Sequence, residues 1–108
     1  MSGVLEGLKV LDLSWGVAGP MTGMLLGDHG ADVTRIERPE GDPFEGLLGY
    51  KVWHRGKKNA VLNLKDDADL EIFYKLAADA DIVIESFSPG VTTRLKIDYA
   101  SLAATNPR

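Results

Sequence analysis

The chain has 108 residues, 44% hydrophobic and 26% charged, with 12 lysines and arginines against 16 aspartates and glutamates and a formal net charge of −4. That length allows one domain with a modest core, and the acidic balance argues against a general nucleic-acid binder, whose footprint is a basic excess. With no cysteine, disulfides, thiolate metal sites and thiol nucleophiles are excluded within the chain.

The opening "MSGVLEGLKVLDLSW" has neither the basic flank of a signal peptide nor the apolar length of a membrane span, so the chain reads as cytoplasmic with no membrane partner. Leu8, Val10, Leu11 and Leu13 predict a first strand buried on both faces. Pro20 suits the first turn of a helix, Met21, Met24 and Leu25 follow at helical spacing, and Gly30 supplies a left-handed stop. "DVTRIE", Asp32 to Glu37, predicts a second strand, which makes the opening a parallel βαβ unit, right-handed by default. The stretch "PEGDPFEGLLGYKVWHRGKKN" has no sustained period and reads as one long loop.

"AVLNL", Ala60 to Leu64, predicts a third strand. Asp66 or Asp67 then caps a helix carrying Leu70, Phe73, Leu76 and Ala80. "DIVIES", Asp81 to Ser86, reads as a fourth strand of the buried type, and "FSPGVTTRL" as a loop leading into a short helix. "DYASLAATN", Asp98 to Asn106, predicts a last helix capped by Asp98 and ended by Pro107. The alternation predicts an α/β fold with a Rossmann-like, open, mostly parallel sheet and flanking helices. A chain that stops after a helix, where the next strand is due, is expected to be a fragment of a longer one.

Three features bear on chemistry. Gly16 and Gly19 give a G-x-x-G turn, not the G-x-G-x-x-G dinucleotide fingerprint, while Glu37 ends the second strand where NAD-binding folds place their ribose carboxylate. A small self-contained NAD or nucleotide module and a plain tight turn both fit those residues. Arg35, Arg38, Lys51, Arg55, Lys57, Lys58 and Lys65 cluster in and around the long loop, which suits a phosphorylated ligand or a solvated face. His29 and His54 lack metal-ligand spacing and read as structural or surface residues; Ser14 and Ser86 end strands but sit in no nucleophile elbow; Trp15 and Trp53 suit stacking on a base or packing, and packing is the favoured reading.

The run "LEGLKVLDLSWGVAGPMTGMLLGDHGADVTRIERPEGDP" resembles the opening of the class III coenzyme A transferases, the CaiB/BaiF family. Formyl-CoA transferase, carnitine CoA-transferase and α-methylacyl-CoA racemase belong to that family. "HRGKKNAVLNLK", "ADADIVIESFSPG" and "TTRLKIDYASLAATNPR" resemble later family blocks, in the same order, over almost the whole chain.

The resemblance implies that residues 1–108 are a single truncated CoA-binding segment from the N-terminal part of the family's large domain, with the catalytic remainder missing. It implies coenzyme A or an acyl-CoA thioester as ligand, no metal, no nucleic acid, and an interlocked homodimer in the full-length protein. Carried over by position, Val17 in the first turn lines the site and Arg38 meets the nucleotide end. Leu62 and Lys65 flank the adenine and phosphates, and Phe87 and Arg94 come from the loop after the fourth strand. Arg38, Lys65 and Arg94 would offset the charge of a 3′-phosphorylated ADP. Val17 stands where formyl-CoA transferase has a glutamine, and Ser86 and His54 each replace a common asparagine. The transferases' aspartate and the racemases' histidine and aspartate fall beyond Arg108, so the resemblance implies no catalytic residue here and no activity alone.

Overall fold

A computed structural model describes residues 3–107. Its core is a four-stranded sheet in the order β3-β2-β1-β4, every neighbouring pair parallel. The strands are β1 (Lys9–Asp12), β2 (Asp32–Glu37), β3 (Lys58–Val61) and β4 (Ile82–Ile84), and the helices are α1 (Ala18–Asp28), α2 (Tyr50–Trp53), α3 (Asp67–Ala78), α4 (Val91–Leu95) and α5 (Tyr99–Ala103). The chain steps outward from β1 to β3 and then crosses to the other side of β1 for β4, so the order reverses between β1 and β4. Among the described residues no helix is long and apolar enough to cross a membrane.

The two-residue period of a strand sorts side chains to two faces. Leu11, Leu13, Ile36 and Leu62 pack on one face with Leu70, Phe73 and Ala77 of α3 and with Ile97; Phe73 is fully buried there. Val10, Val33, Ile82 and Ile84 form the other face with Ala31 and with Leu26 of α1. The α/β class and the parallel sheet with flanking helices therefore stand as the sequence implies.

Gly16 turns the chain after β1 at φ +84°, and α1 begins at Ala18, two residues before the proline. A Cβ on Gly19 would lie 2.3 Å from Ser14 Cβ and one on Gly23 would lie 2.8 Å from an Asp12 carboxylate oxygen, so these glycines let the helix lie close on β1. Gly30, at φ +108°, is the expected left-handed stop. Asp66 accepts from the Ala68 N–H and caps α3, which ends at Ala78, short of the buried Ala80; Leu76 is exposed.

Four elements differ from the sequence reading. The third strand runs over Lys58–Val61, not Ala60–Leu64, because its partner β2 ends at Glu37, opposite Val61, and residues beyond that pair have no strand to join. β4 covers Ile82–Ile84 and is half-buried, since it pairs with β1 on one side only. The long loop contains α2, one turn carrying Tyr50 and Trp53. The last helix is Tyr99–Ala103, and Asp98 accepts from the Ser101 hydroxyl instead of a backbone N–H. Beyond it, the Asn106 side-chain amide donates to the carbonyls of Ala77 and Ala80, tying the end of the chain to α3.

Candidate functional site

In an open parallel sheet the strands' carboxyl ends leave a crevice, and the ligand site of such folds lies there, near the point where strand order reverses. Here that crevice is a cleft of about 620 Å³. Leu13 and Trp15 reach it from β1, Ile36, Arg38 and Glu40 from β2, and residues 62–65 from β3. Residues 86–88 follow β4, and Val91, Arg94 and Leu95 lie on α4. The volume is that of a small-molecule site.

Five of the six residues singled out in the sequence line this one cleft: Arg38, Leu62, Lys65, Phe87 and Arg94. Leu62 is buried and Phe87 half-buried, while Arg38, Lys65 and Arg94 are exposed. Three cations thus converge from three separate segments onto an apolar floor. Val17 lies outside the lining: it is the N-cap of α1, exposed, and its carbonyl accepts the Met21 N–H at 2.9 Å.

Each cation is held at a turn. The Arg38 Nε donates to the Gly41 carbonyl at 2.9 Å, closing the turn that follows β2. Lys65 sits in the β3–α3 turn, where its N–H donates to the Asn63 side chain and the Asn63 N–H donates to Asp69. Arg94 lies in the last turn of α4, which follows Gly90. Trp15 forms one wall. Its ring stands 5.3 Å from that of Phe87, edge-on at 79°, and the Arg38 guanidinium lies 4.3 Å over its centroid.

Most of the basic cluster lies elsewhere, which corrects the idea that it forms one ligand patch. Lys57 donates to Asp12 at 2.6 Å with both side chains buried, and also to the Pro20 carbonyl at 2.9 Å. Arg35 is buried between Glu37 at 2.9 Å and Asp42 at 2.5 Å. Arg55 pairs with Asp28 and Lys58 with Asp32. Only Arg38 and Lys65 of that cluster reach the cleft. The reason is the strand period: Asp12, Arg35 and Glu37 point to the α1 face, whereas Ile36 and Leu62 point to the α3 face.

The Glu37 carboxylate is occupied. Asn59 donates to it at 2.9 Å and Arg35 pairs with it; burial alone would raise its pKa, but these donors outweigh burial and hold it below the ordinary range. His54 completes the buried polar layer. Its Nδ1 accepts from Lys57 at 3.2 Å, its ring packs against Tyr50, and burial, with the Lys57 and Arg35 charges, lowers its pKa from 6.5 to about 4.

A pH dependence follows. Folded His54 resists the proton that the unfolded residue takes up near pH 6.5, so its contribution is complete above that pH and is lost as pH falls toward 4. The loss amounts to about 3 kcal/mol at the acid end of that window. Urea unfolding at pH 7 and at pH 4.5 should show the drop, and His54→Asn should flatten it; equal slopes in the two proteins would remove His54 as the cause.

Residues 5–108 match the model of CoA-transferase family III, and the chain belongs to that family. It is 42% identical over 118 aligned positions to a succinyl-CoA:mesaconate CoA-transferase of Haloarcula marismortui, covering 97% of this chain and 30% of that protein. An acetyl-CoA:oxalate CoA-transferase of Acetobacter aceti is 41% identical over 115 positions, covering 98% of this chain and 30% of the relative. A crystal structure of a CAIB/BAIF family protein from Brucella suis superposes with a TM-score of 0.91 at 34% identity, over 98% of this chain and 32% of that one. The chain thus spans about 30% of the length of the curated relatives it matches.

Proposed function

We propose that the cleft is the nucleotide end of a coenzyme A site and that the chain is the N-terminal, CoA-binding part of a cytoplasmic class III CoA-transferase. The convergence of Arg38, Lys65 and Arg94 on an apolar floor of Leu62 and Phe87 carries this reading. A 3′-phosphorylated ADP is a polyanion with one flat aromatic base. Guanidinium forks and an ammonium suit the phosphates, and the apolar floor suits the base. Val17 is assigned to the acyl end, where a valine in place of formyl-CoA transferase's glutamine sets this chain apart.

For the whole protein the reading is CoA transfer by an interlocked homodimer. The transferred bond is a thioester: an aspartate supplied from outside this chain attacks the acyl carbon, forming a mixed anhydride and releasing the CoA thiolate. The thiolate attacks the aspartyl carbonyl, expelling the donor carboxylate and leaving an aspartyl-CoA thioester, and the acceptor carboxylate takes the CoA by the reverse of these steps, which frees the aspartate. The relatives' names, succinyl-CoA:mesaconate and acetyl-CoA:oxalate CoA-transferase, favour transfer over racemisation and short carboxylic acids over fatty ones. This chain's share is to bind and orient the nucleotide handle, so no turnover is expected from it alone. The NAD reading loses its main support, because Glu37 is already taken by Arg35 and Asn59.

Titration of the purified chain with CoA and with NAD, followed by NMR, tests the reading. CoA should shift the signals of Arg38, Lys65 and Arg94, and NAD should leave them in place. Shifts with NAD alone would sink it.

A further inference from the structure

We propose that Trp15 is the positioning residue for Arg38, stacking its guanidinium so that the open edge of the fork meets a phosphate of coenzyme A. The inference rests on the functional reading above. Trp15 is fixed first through its backbone. Its N–H donates to the Ser86 hydroxyl at 2.9 Å and its carbonyl accepts from the same hydroxyl at 3.1 Å, so one serine beyond β4 holds both polar groups of one residue beyond β1. Phe87, next in the chain, braces the indole edge-on. The ring so fixed carries the Arg38 guanidinium 4.3 Å above its centroid.

The guanidinium is held at two points. The indole takes its face and the Gly41 carbonyl takes its Nε, with Glu40 at 3.8 Å from the same nitrogen. Its two terminal amino groups donate no hydrogen bond among the described residues. These groups form the edge that meets a phosphate bidentately. An unsupported surface arginine loses rotamer freedom when it captures an anion; a stacked one has lost much of it beforehand. The contact joins β1, β2 and β4 at the place where strand order reverses, so the wall and the cation it presents are set by the sheet itself.

The test is a double-mutant cycle on CoA affinity, measured by calorimetry in the purified chain. Trp15→Leu should weaken binding about five- to tenfold, and Trp15→Phe, which keeps an aromatic face, by no more than about threefold. On an Arg38→Gln background Trp15→Leu should cost almost nothing further, while on Lys65→Gln it should cost its full amount. Equal losses on both backgrounds overturn the inference and leave the functional reading intact. A parent chain that binds no CoA overturns both. Should Trp15→Leu fail to fold, the Arg38 Nε–H resonance of the unliganded parent decides: a ring-current shift supports the stack, and an unshifted signal overturns it.

Discussion

Replacing Lys57 by methionine is expected to destabilise the chain by about 3–5 kcal/mol, the usual cost of leaving a buried charge without its partner. The Lys57 side chain is 2% exposed and the Asp12 side chain fully buried, at 2.6 Å from each other. The Ser14 N–H and hydroxyl both donate to Asp12 as well, but neither carries a positive charge. A small domain has only about 5–15 kcal/mol of stability in total, so the variant should be largely unfolded at modest urea. Burial already presses the Lys57 pKa below its ordinary value against the pull of Asp12, so the pair is a costly arrangement held by its geometry. Asp12→Asn combined with Lys57→Met removes both charges and should recover at least half the loss. Urea midpoints of the three proteins measure this, and a single variant losing under about 1 kcal/mol would show that water reaches the aspartate.

The second large effect concerns binding. Arg38→Gln, Lys65→Gln and Arg94→Gln should each weaken CoA binding by about ten- to a hundredfold, the range for losing a hydrogen bond to a charged group. All three residues are exposed, so Lys65→Gln and Arg94→Gln should keep the unfolding free energy within about 0.5 kcal/mol of the parent, while Arg38→Gln, which also gives up the Gly41 hydrogen bond and the Trp15 stack, should lose about 1–2 kcal/mol. Neutralising the three together should also flatten the salt dependence of binding, since screening acts on the charges removed. Affinity for CoA that ignores salt and all three substitutions would place the nucleotide elsewhere on the molecule.

The long-range order of the molecule was legible where local pattern and tertiary demand agree. "DVTRIE" is β2 to the residue, because a central strand is specified by its own apolar positions and by the glycine stop before it. β3 was displaced because the end of an edge strand depends on where its neighbour stops, and Glu37 sets that limit from another part of the chain. α2 escaped notice because one helical turn among glycines carries no period. The cleft residues were found through family resemblance, whereas charge alone misled: Arg35 and Lys57 look like their neighbours in sequence, yet their partners Asp42 and Asp12 come from the loop beyond β2 and from β1. Trp15 read as packing because its role needs Arg38, Ser86 and Phe87 beside it, and only the folded sheet brings them together.

The glycines of α1 bear on how the chain reaches this state. Gly19, Gly23 and Gly27 recur every fourth residue, and a Cβ on each would meet Ser14, Asp12 or Lys57, or Val33. Each glycine costs an isolated helix about 1 kcal/mol relative to alanine, so eleven residues with three of them have little reason to coil before a surface exists to receive them. α1 is then a late-docking element, and its amide hydrogens should exchange with solvent faster than those of the β1–β2 pair, because undocking exposes the helix without opening the strands. Lys57 donates both to Asp12 and to the Pro20 carbonyl of α1, so the full set of partners of the buried charge pair exists only when the helix is docked.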